Sequence, residues 1–418
     1  MKLLQVVHQF LPEYVGGTEV YVDALSRHLA LHGHEVRIFA GSDSYSEREW
    51  KGMKVHTVPG GLRGERGTVG NFLTAFGNSG AERAFERLCR EYAPDLVHFH
   101  HLLGLSSRLV NIARALDIPT VFTLHDYWFL CPNGQLITER QKPCDGPMLG
   151  INCGVCAAHR LGLAPMSLFA PVVAPIFLQR QRVLRRAVSS VDIIVAPSKF
   201  IGSIAEKNGL PRDKIVYIDH GIELSPLKTG HDPEEDGTLN ILYLGSIAPV
   251  KGVHVLVEAF KRLNSDRARL LIYGDTSVFP EYSEGLKKAS GGSNIAFMGV
   301  AEREGVPQVL QRADVLVVPS LWYENAPLVV QEAFAMGVPV VASKIGALQE
   351  WVIDEVNGLH FQTGDAIELA EKLKLLIDRP EILHKLKSNA PKVPSIDEHV
   401  DRIEKIYQDL VEARLKVN

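Results

Sequence analysis

The sequence has 418 residues, of which 46% are hydrophobic and 22% charged, and this balance is ordinary for a folded globular protein. At about 150 residues per domain, the length predicts two or three domains. A net charge of −4 and a pI of about 6.5 exclude a global basic field that recruits nucleic acid. Five unevenly placed cysteines, and an N-terminus without an A-x-A-like cleavage site, predict a cytoplasmic protein without a disulfide scaffold.

Strands and helices are predicted to alternate along the first half of the chain. KLLQVVHQF at the N-terminus predicts a strand, and the helix after it has Val22, Leu25 and Leu29 at helical spacing. Gly33 is expected to end that helix. Further strands are predicted at 35–41, 95–100, 120–126, 192–198 and 214–221. This alternation is typical of β-α-β crossovers around a doubly wound parallel sheet.

An apolar segment at 161–178 contains 18 residues without a charge, which is the lower length of a membrane span. Its prolines Pro165, Pro171 and Pro175 argue against one regular helix. Four arginines follow it, namely Arg180, Arg182, Arg185 and Arg186. Two interpretations stay open: contact with a membrane interface, or a buried hairpin or lid followed by a solvated basic helix.

A second series of strands follows a polar, proline-containing stretch at 226–236, which is predicted to be a linker. The strands are predicted at 240–246, 269–275, 294–300, 314–320 and 338–344. The predicted parts are an N-terminal Rossmann-like domain over 1–225 with a cysteine-containing insertion at 131–186, a C-terminal one over 237–395, and an amphipathic helix over 396–418. Ligands of such sheets bind beyond the carboxyl ends of the strands, so two facing domains predict a central cleft.

The sharpest chemical signal is the stretch ENAPLVVQE, which runs from Glu324 to Glu332 after a predicted strand. Asn325 is predicted to cap a helix with Pro327 in its first turn, and the start of that helix would bind an anionic phosphate. Glu332 would lie about 8–9 Å further along the axis. Carboxylates accept from paired hydroxyls, so Glu332 suits a ribose and Glu324 a donor sugar. From spacing alone, two surface glutamates are the simpler interpretation.

The same stretch, with PS before it and GVPVVAS after it, closely resembles the E-x7-E region of retaining family 4 glycosyltransferases. Other marks of that family match in order, namely PEYVGGTE, GHEV, PDLVHFH, TLHD, APSKF, the KG at 251–252 and NGLHF. The resemblance covers nearly the whole chain. It implies the α/β GT-B fold, with two Rossmann-like doubly wound domains facing a central cleft. It also implies sugar transfer, with retention, from a UDP- or GDP-linked donor to an acceptor hydroxyl.

The resemblance implies roles for individual residues. His125, Lys251 and Glu324 are expected to act in catalysis, with Lys251 neutralising the diphosphate leaving group. The donor is expected to contact Gly16, Gly17, Ser246, Lys251, Gly299, Val300, Asn325, Ala326, Pro327, Leu328 and Glu332. The glycine pair would permit positive φ and a close backbone approach. Gly274 also resembles part of the nucleobase pocket, although tight strand-to-helix turns explain the glycines equally well.

The chain departs from the family pattern at Ser246, where many relatives have arginine. Either Ser246 hydrogen-bonds the phosphate, or another cation, Lys199 or Arg303, substitutes. His220 and Glu223 also differ from the family pattern and are candidates only for the cleft edge. The alternative function is therefore a non-catalytic carbohydrate-binding or scaffold protein with a degraded donor site.

Four cysteines, Cys131, Cys144, Cys153 and Cys156, fall in the predicted insertion. Four thiolates would close a structural zinc site, whereas free thiols or a redox pair are the alternatives. We expect no catalytic metal, because no D-x-D stands out at a strand end. A dehydrogenase is disfavoured because G-x-G-x-x-G is absent after the first strand. The predicted partner is a glycan or lipid-linked acceptor in surface polysaccharide or glycolipid synthesis, with peripheral contact at the inner face of the membrane.

Overall fold

The computed structural model describes residues 1–60, 67–223 and 238–416, and the chain divides into two compact units. The N-terminal unit consists of Met1–Glu139, Cys144–Gly221 and Ile396–Asn418. The C-terminal unit consists of Arg140–Pro143 and Ile222–Ser395. The predicted linker at 226–236 lies outside the described residues.

The N-terminal unit is built on an eight-stranded sheet. Its strands are β1 (Lys2–Val7), β2 (Glu35–Ser42), β3 (Ser46–Trp50), β4 (Met53–Pro59), β5 (Leu96–Phe99), β6 (Thr120–Thr123), β7 (Ile193–Ala196) and β8 (Ile215–Tyr217). The order is β3-β4-β2-β1-β5-β6-β7-β8, and every pair is parallel except the antiparallel β3–β4 hairpin. The strands predicted in this half are confirmed. The β3–β4 hairpin was not predicted, because the sequence of β3, SEREW, has no apolar face.

Seven helices connect these strands within the described part of the unit. They are α1 (Gly17–Leu31), α2 (Gly67–Leu73), α3 (Ser79–Tyr92), α4 (Arg108–Ala115), α5 (Ile151–Arg160), α6 (Ala170–Ser190) and α7 (Lys199–Lys207). Helix α1 buries Val22, Leu25 and Leu29 against the sheet, as their helical spacing predicts. Gly33 follows its end at φ +86°, a conformation that favours glycine.

The C-terminal unit is built on a six-stranded, fully parallel sheet. Its strands are β9 (Leu239–Leu244), β10 (Ala268–Tyr273), β11 (Ile295–Gly299), β12 (Val315–Val318), β13 (Val340–Ser343) and β14 (Gly358–Phe361), in the order β11-β10-β9-β12-β13-β14. The helices are α8 (Val253–Leu263), α9 (Pro280–Ala289), α10 (Val306–Gln311), α11 (Leu328–Ala335), α12 (Leu348–Trp351), α13 (Ala366–Asp378) and α14 (Pro380–Ser388). The five predicted strands are confirmed, and β14 adds one that was not predicted.

Both faces of the C-terminal sheet are covered. Ile241 and Tyr243 of β9 pack into one apolar cluster with Leu256 of α8, whereas Leu242 packs into a second cluster with Val330 of α11. Successive side chains of a strand point to opposite faces, so helices on both sides must cover an apolar strand. The doubly wound fold class predicted from the sequence is confirmed in both units.

The last helix, α15 (Ile396–Leu415), belongs to the N-terminal unit. Its buried residues Val400, Ile403 and Tyr407 join the apolar cluster that contains Leu3 of β1. Helix α15 packs beside α1, where His28 Nδ1 lies 2.7 Å from Asp397 Oδ1. The predicted amphipathic helix is therefore confirmed, and the polypeptide returns to its first unit to form it.

The apolar segment at 161–178 is not a buried hairpin. A 3₁₀ turn at Ala164–Phe169 leads directly into α6, with Pro171 in the first turn of that helix and Pro175 inside it. Leu168 is 85% exposed, so the interpretation of the segment as a buried hairpin is wrong. The start of α6 at Ala170 agrees with the expectation that no single regular helix covers the segment. No helix in the described part of the chain is long and apolar enough to cross a membrane.

Candidate functional site

The carboxyl ends of β9, β10 and β11 lie side by side and carry glycines. The Gly274 N–H donates to the Gly299 oxygen at 2.8 Å, and the Gly245 N–H donates to the Tyr273 oxygen at 3.1 Å. A side chain on Gly274 would overlap the Gly245 oxygen, so this turn requires glycine. Gly299 adopts φ +80°, and Val300 beyond it is exposed. The residues proposed for a nucleobase pocket therefore share one end of the sheet.

Glu324 is the centre of a hydrogen-bonded group in the loop after β12. Its carboxylate is 5% exposed, and its Oε1 accepts three hydrogen bonds. The donors are Lys251 Nζ at 2.7 Å, Ser320 Oγ at 2.5 Å and Trp322 Nε1 at 2.9 Å. Lys251 Nζ also lies 5.1 Å from the centre of the Trp322 ring. Charge-assisted donors and a cation–π contact hold the carboxylate and the ammonium together.

A close approach of two loops places Lys251 beside Glu324. Lys251 ends a 3₁₀ turn after β9, and Gly252 follows at φ +70° before α8 begins. A side chain on Gly252 would overlap the Pro319 oxygen in the loop after β12. The Leu321 N–H donates to the Val250 oxygen at 2.9 Å across the same contact. Because β9 and β12 are neighbours, their loops meet and bring the cation to the carboxylate.

Helix α11 begins later than predicted. It starts at Leu328 with Pro327 at the N-cap position, so the prediction that Asn325 caps it is wrong. The proline disfavours helical geometry at Ala326, and Pro327 itself is extended with ψ 97°. Asn325 is nevertheless buried next to Glu324. The free N–H groups of α11 thus begin at Leu328, four residues after Glu324.

Glu332 lies in the second turn of α11 and is buried. Its Oε1 contacts Arg303 Nη1, and Arg303 extends from a 3₁₀ turn that precedes α10. Of the two cations considered as substitutes at position 246, Arg303 therefore lies beside the E-x7-E segment. Lys199 begins α7 in the N-terminal unit. Ser246 itself is exposed, and its backbone oxygen accepts from Tyr243 Oη at 2.7 Å.

A second polar group, which we call the histidine cluster, lies in the N-terminal unit. It consists of His98, His100, His125, His220 and His399 together with Tyr21 and Tyr407. Four of the histidines lie on or just beyond β5, β6 and β8, and His399 comes from α15. The centre of the Tyr21 ring lies 4.1 Å from that of His220 and 4.9 Å from that of His125. The cluster thus sits where the carboxyl ends of parallel strands meet.

Hydrogen bonds assign the tautomer of His125. The His100 Nε2–H donates to Gln5 Oε1 at 2.7 Å, so His100 Nδ1 is an acceptor. His125 Nε2 lies 3.1 Å from that Nδ1 and therefore carries the proton. This leaves His125 Nδ1 unprotonated, as an acceptor. A neutral acceptor of this kind suits a hydroxyl group.

Burial sets the charge of the histidine cluster. It lowers the pKa values of His98, His100, His125 and His220 well below the usual range, and neighbouring histidines lower them further. Burial likewise lowers the pKa of His399 to about 4. All five imidazoles are therefore neutral at physiological pH, and they act through hydrogen bonds rather than as cations.

The glycine pair lacks the positive φ that the sequence predicts for it. Gly16 precedes α1 in an extended conformation, φ −150°, and Gly17 is the first residue of the helix. Neither has a positive φ, so that reason for the two glycines is wrong. A side chain on Gly16 would crowd the Glu19 carboxylate, whereas one on Gly17 would meet open space. Gly17 thus leaves room in front of the helix start.

The two candidates for the cleft edge, His220 and Glu223, belong to different units. His220 belongs to the histidine cluster, and its Nδ1 has no hydrogen-bond partner among the described residues. Glu223 is exposed and belongs to the C-terminal unit.

The four cysteines of the predicted insertion all lie in the N-terminal unit as free thiols. Within the described ranges, only His32, Asp401 and Glu404 bring three metal-ligating atoms within 4.8 Å of one another, and the cysteine sulfurs form no such group. Burial raises the pKa of Cys153 to about 12 and also raises those of Cys144 and Cys156. The thiols of Cys144, Cys153 and Cys156 are therefore protonated in this arrangement, whereas zinc binds thiolates. The zinc site stays a prediction.

Several residues of these groups were not predicted. Ser320 belongs to the PS before the E-x7-E segment and Trp322 belongs to none of the motifs, and their spacing to Glu324 was the available signal. His100 stands in the quoted stretch PDLVHFH, where alternating histidines after a strand could have suggested a shared face. No local pattern could have found His399, which lies 378 residues from its partner Tyr21.

Known proteins resemble the chain over nearly its whole length. The family described as Glycosyltransferase Family 4 matches residues 15–226, and Glycosyl transferases group 1 matches residues 231–393. A D-inositol 3-phosphate glycosyltransferase of Xylanimonas cellulosilytica is 30% identical over 379 residues, which cover 87% of this chain and 83% of that protein.

Solved structures share the fold. Sucrose-phosphate synthase from Thermosynechococcus elongatus superposes with a TM-score of 0.75 at 20% identity and covers 99% of both chains. The Anabaena protein HepE, in complex with UDP and glucose, has a TM-score of 0.68 at 16% identity and covers 98% of this chain and 100% of its own. Both likenesses support the GT-B class of two Rossmann-like domains.

Proposed function

The chain belongs to glycosyltransferase family 4, and from this premise we propose that it transfers a sugar from a nucleoside diphosphate sugar to an acceptor hydroxyl with retention at the anomeric carbon. The observation that carries the proposal is the pairing of Lys251 with Glu324, four residues before the start of α11. On the same segment, Glu332 pairs with Arg303. Both cations are thus held by glutamates of the segment that leads into α11, where the diphosphate is proposed to develop negative charge.

Lys251 is proposed to stabilise the departing diphosphate. The bond between the sugar and the phosphate breaks with the electron pair moving to the phosphate oxygen, and a fixed ammonium group lowers the energy of that charge. Glu324 holds Lys251 in position through Oε1. Its carboxylate is also proposed to accept hydrogen bonds from the donor sugar.

Glu332 and Arg303 are proposed to bind the nucleotide side of the donor. Glu332 would accept from the ribose hydroxyls, which releases Arg303 for a phosphate oxygen. Arg303 then substitutes for the arginine that many relatives have at position 246. Gly299 and Val300 would supply the backbone and apolar contacts of the base.

Neither glutamate is proposed as a covalent nucleophile. Retaining hydrolases place two carboxyl groups about 5–5.5 Å apart around the scissile bond. Here Glu324 binds Lys251 and Glu332 binds Arg303, so each is assigned to a cation rather than to the anomeric carbon. Leaving-group stabilisation and orientation are the proposed sources of catalysis.

A UDP-linked or GDP-linked hexose is the proposed donor, and the UDP in the HepE complex supports testing UDP first. The proposed acceptor is a glycan or a lipid-linked sugar at the inner face of a membrane. The contact of His125 with the donor sugar, through its unprotonated Nδ1, is part of the same proposal.

Calorimetric titration with UDP, GDP and ADP tests the donor site. We expect one nucleotide to bind with micromolar affinity to the wild type and at least about tenfold more weakly to Glu332→Ala, because a hydrogen bond to a charged group contributes about 1.5–3 kcal/mol. Glu258→Ala is the matched control, since Glu258 is exposed and pairs with the exposed Arg262 on α8.

Absence of binding by all three nucleotides would contradict the proposed donor site. The non-catalytic carbohydrate-binding or scaffold function, favoured by Ser246, would then replace it.

A further inference from the structure

Large apolar side chains stand exposed along one continuous segment of the N-terminal unit. The segment runs through α5, the 3₁₀ turn and the first half of α6, and its exposed members are Met148, Leu149, Ile151, Leu161, Leu163, Met166, Leu168, Phe169, Val172, Val173 and Ile176. Leu168 and Val172 are 85% and 75% exposed. Exposed apolar residues are common singly, but a contiguous set of this size marks an interaction surface. We call these residues the apolar surface.

Small residues fix the apolar surface in place. Gly154 of α5 lies so close to Ala170 of α6 that an added side chain would meet its backbone at 3.1 Å. An added side chain on Gly150 would come still closer, to 2.5 Å from the backbone oxygen of Ala174. Ala170 and Ala174 are buried in this contact, so the larger residues beside them face outward. The apolar surface is therefore a property of the packed helices.

The charged side chains within this stretch of the chain have one sign. From 146 to 191 the sequence contains no aspartate or glutamate, although the whole chain has a net charge of −4. Four exposed arginines fall in this stretch, namely Arg160, Arg182, Arg185 and Arg186. The surface is thus complementary to a partner that combines apolar material with negative charge.

Helix α6 arranges the two properties along its length. Residues 172, 176, 179, 182 and 186 follow helical spacing and lie on its exposed side. Val172 and Ile176 come first, and Arg182 and Arg186 follow on the same side, about 15 Å further along between Val172 and Arg182. A helix inclined to a bilayer would place the apolar end about 5–10 Å below the headgroups and the arginines at the phosphates.

We propose that the apolar surface, with these arginines, docks the protein on an anionic phospholipid bilayer. The four arginines bind lipid phosphates, and Leu168, Phe169 and Val172 enter the boundary with the acyl chains. The surface lies in the N-terminal unit and shares no residue with the proposed donor site. It therefore adds a partner to the proposed function without depending on nucleotide binding.

Co-sedimentation of the full chain with vesicles tests the proposal. We expect binding to vesicles of phosphatidylcholine with about 30% phosphatidylglycerol and weak binding to phosphatidylcholine alone, since each arginine near an anionic surface contributes about 1 kcal/mol. Arg182→Gln/Arg185→Gln/Arg186→Gln should then partition about 100-fold more weakly. The matched control, Arg83→Gln/Arg87→Gln/Arg114→Gln, removes the same charge from exposed positions on α3 and α4 and should bind like the wild type.

The apolar contribution is tested by Leu168→Ser/Phe169→Ser/Val172→Ser, which should bind the anionic vesicles at least about tenfold more weakly. Leu31→Ser/Leu415→Ser, at two exposed leucines elsewhere in the unit, is its control. Calorimetric nucleotide binding by every variant should equal that of the wild type, which separates failure of docking from failure of the donor site.

Two results would overturn the proposal. One is equal binding of the wild type and the arginine variant to anionic vesicles. The other is a wild-type dimer, seen by light scattering without lipid, that the serine variant converts to a monomer, because the apolar surface would then bind a second copy of the chain.

Discussion

Polar side chains lie at the ends of the parallel strands in both units, but they are neutral in one unit and charged in the other. In the N-terminal unit, the histidine cluster consists of side chains that burial keeps neutral. In the C-terminal unit, the corresponding loops and the start of α11 carry two ion pairs, Lys251–Glu324 and Arg303–Glu332. The ends of parallel strands thus position polar residues in both units, but the pairs Lys251–Glu324 and Arg303–Glu332 carry charge that a diphosphate could exchange with, whereas the histidine cluster is neutral.

The histidine cluster and the two ion pairs are also stabilised in different ways. The histidine cluster depends on exclusion of water, and a single proton would place an uncompensated charge inside it. The ion pairs depend on a partner of opposite charge, and a ligand can take over that partner. We therefore expect proton concentration to act on the N-terminal unit, and ligands and charge substitutions to act on the C-terminal unit.

The largest expected effect is that of Lys251→Ala. Removal of the ammonium deprives the leaving group of its stabilising charge and leaves Glu324 buried without its cation, so sugar transfer or sugar-nucleotide hydrolysis should fall about 100- to 1,000-fold in kcat. Initial rates at saturating donor measure this. Lys261→Ala, an exposed lysine on α8, is the control. Retention of full activity by Lys251→Ala would contradict the role of the pair.

Acid should destabilise the N-terminal unit first. The folded pKa values of the histidine cluster lie below the unfolded value of about 6.5, so the unfolded chain binds more protons and stability falls as the pH drops below about 6.5. His399 alone, with a pKa of about 4, should cost about 2 kcal/mol at pH 5 relative to neutral pH.

Tryptophan fluorescence during urea unfolding at pH 7.5 and 5.0 checks the acid effect for each unit. The sequence has four tryptophans, of which Trp50 and Trp128 lie in the N-terminal unit and Trp322 and Trp351 in the C-terminal unit. Replacement of either pair by phenylalanine leaves reporters in one unit. An equal fall in the midpoint of both units would remove the proposed contrast.

Ser246→Arg should strengthen the C-terminal site. Position 246 is exposed at the end of β9 and has room for a longer side chain. A guanidinium group there should form a charge-assisted hydrogen bond to a diphosphate and raise nucleoside diphosphate affinity about tenfold. Calorimetry on wild type, Ser246→Arg and Ser246→Gln measures the gain. If the glutamine variant gains as much as the arginine variant, charge is not what position 246 lacks.

The smallest expected effect is the stability lost when a tyrosine hydroxyl is removed from a tyrosine–histidine pair. Two such pairs allow a comparison. The Tyr407 hydroxyl lies 2.6 Å from His98 Nδ1 inside the histidine cluster, and the Tyr282 hydroxyl lies 2.8 Å from His254 Nδ1 near the surface. Tyr407→Phe should cost about 1–2 kcal/mol, because it leaves a buried imidazole nitrogen without a partner. Tyr282→Phe should cost less than about 0.5 kcal/mol. Chemical denaturation measures both, and equal costs would mean that burial does not control these bonds.

The sequence predicted the sheets well because central parallel strands are short apolar runs. The stretches that became β5, β6, β12 and β13 are β-branched and apolar, and no helix competes for them. The β3–β4 hairpin was not predicted because its first strand is polar and lies at the edge of the sheet. Strand β14 is only four residues long and lies within NGLHF, a stretch that was identified by its family resemblance rather than as a strand.

The residues of the candidate site could be predicted from the sequence, but the contacts between them could not. Glu324, Lys251 and Glu332 follow from the motif and its resemblance. The convergence of Ser320 and Trp322 on a single carboxylate oxygen follows only from how the loops after β9 and β12 pack. The Asn325 cap failed because Pro327 delays the helix, a local effect that overrode the usual cap preference.

Helix α15 gives the order of biosynthesis a structural meaning. The ribosome makes the whole C-terminal unit before it makes α15. Leu3 and its neighbours in the nascent N-terminal unit therefore stay uncovered until α15 is made. His399 and Tyr407 then arrive together as the last buried partners. A chain that lacks α15 would expose that gap to chaperones and proteases, so the helix protects the apolar residues of the first unit.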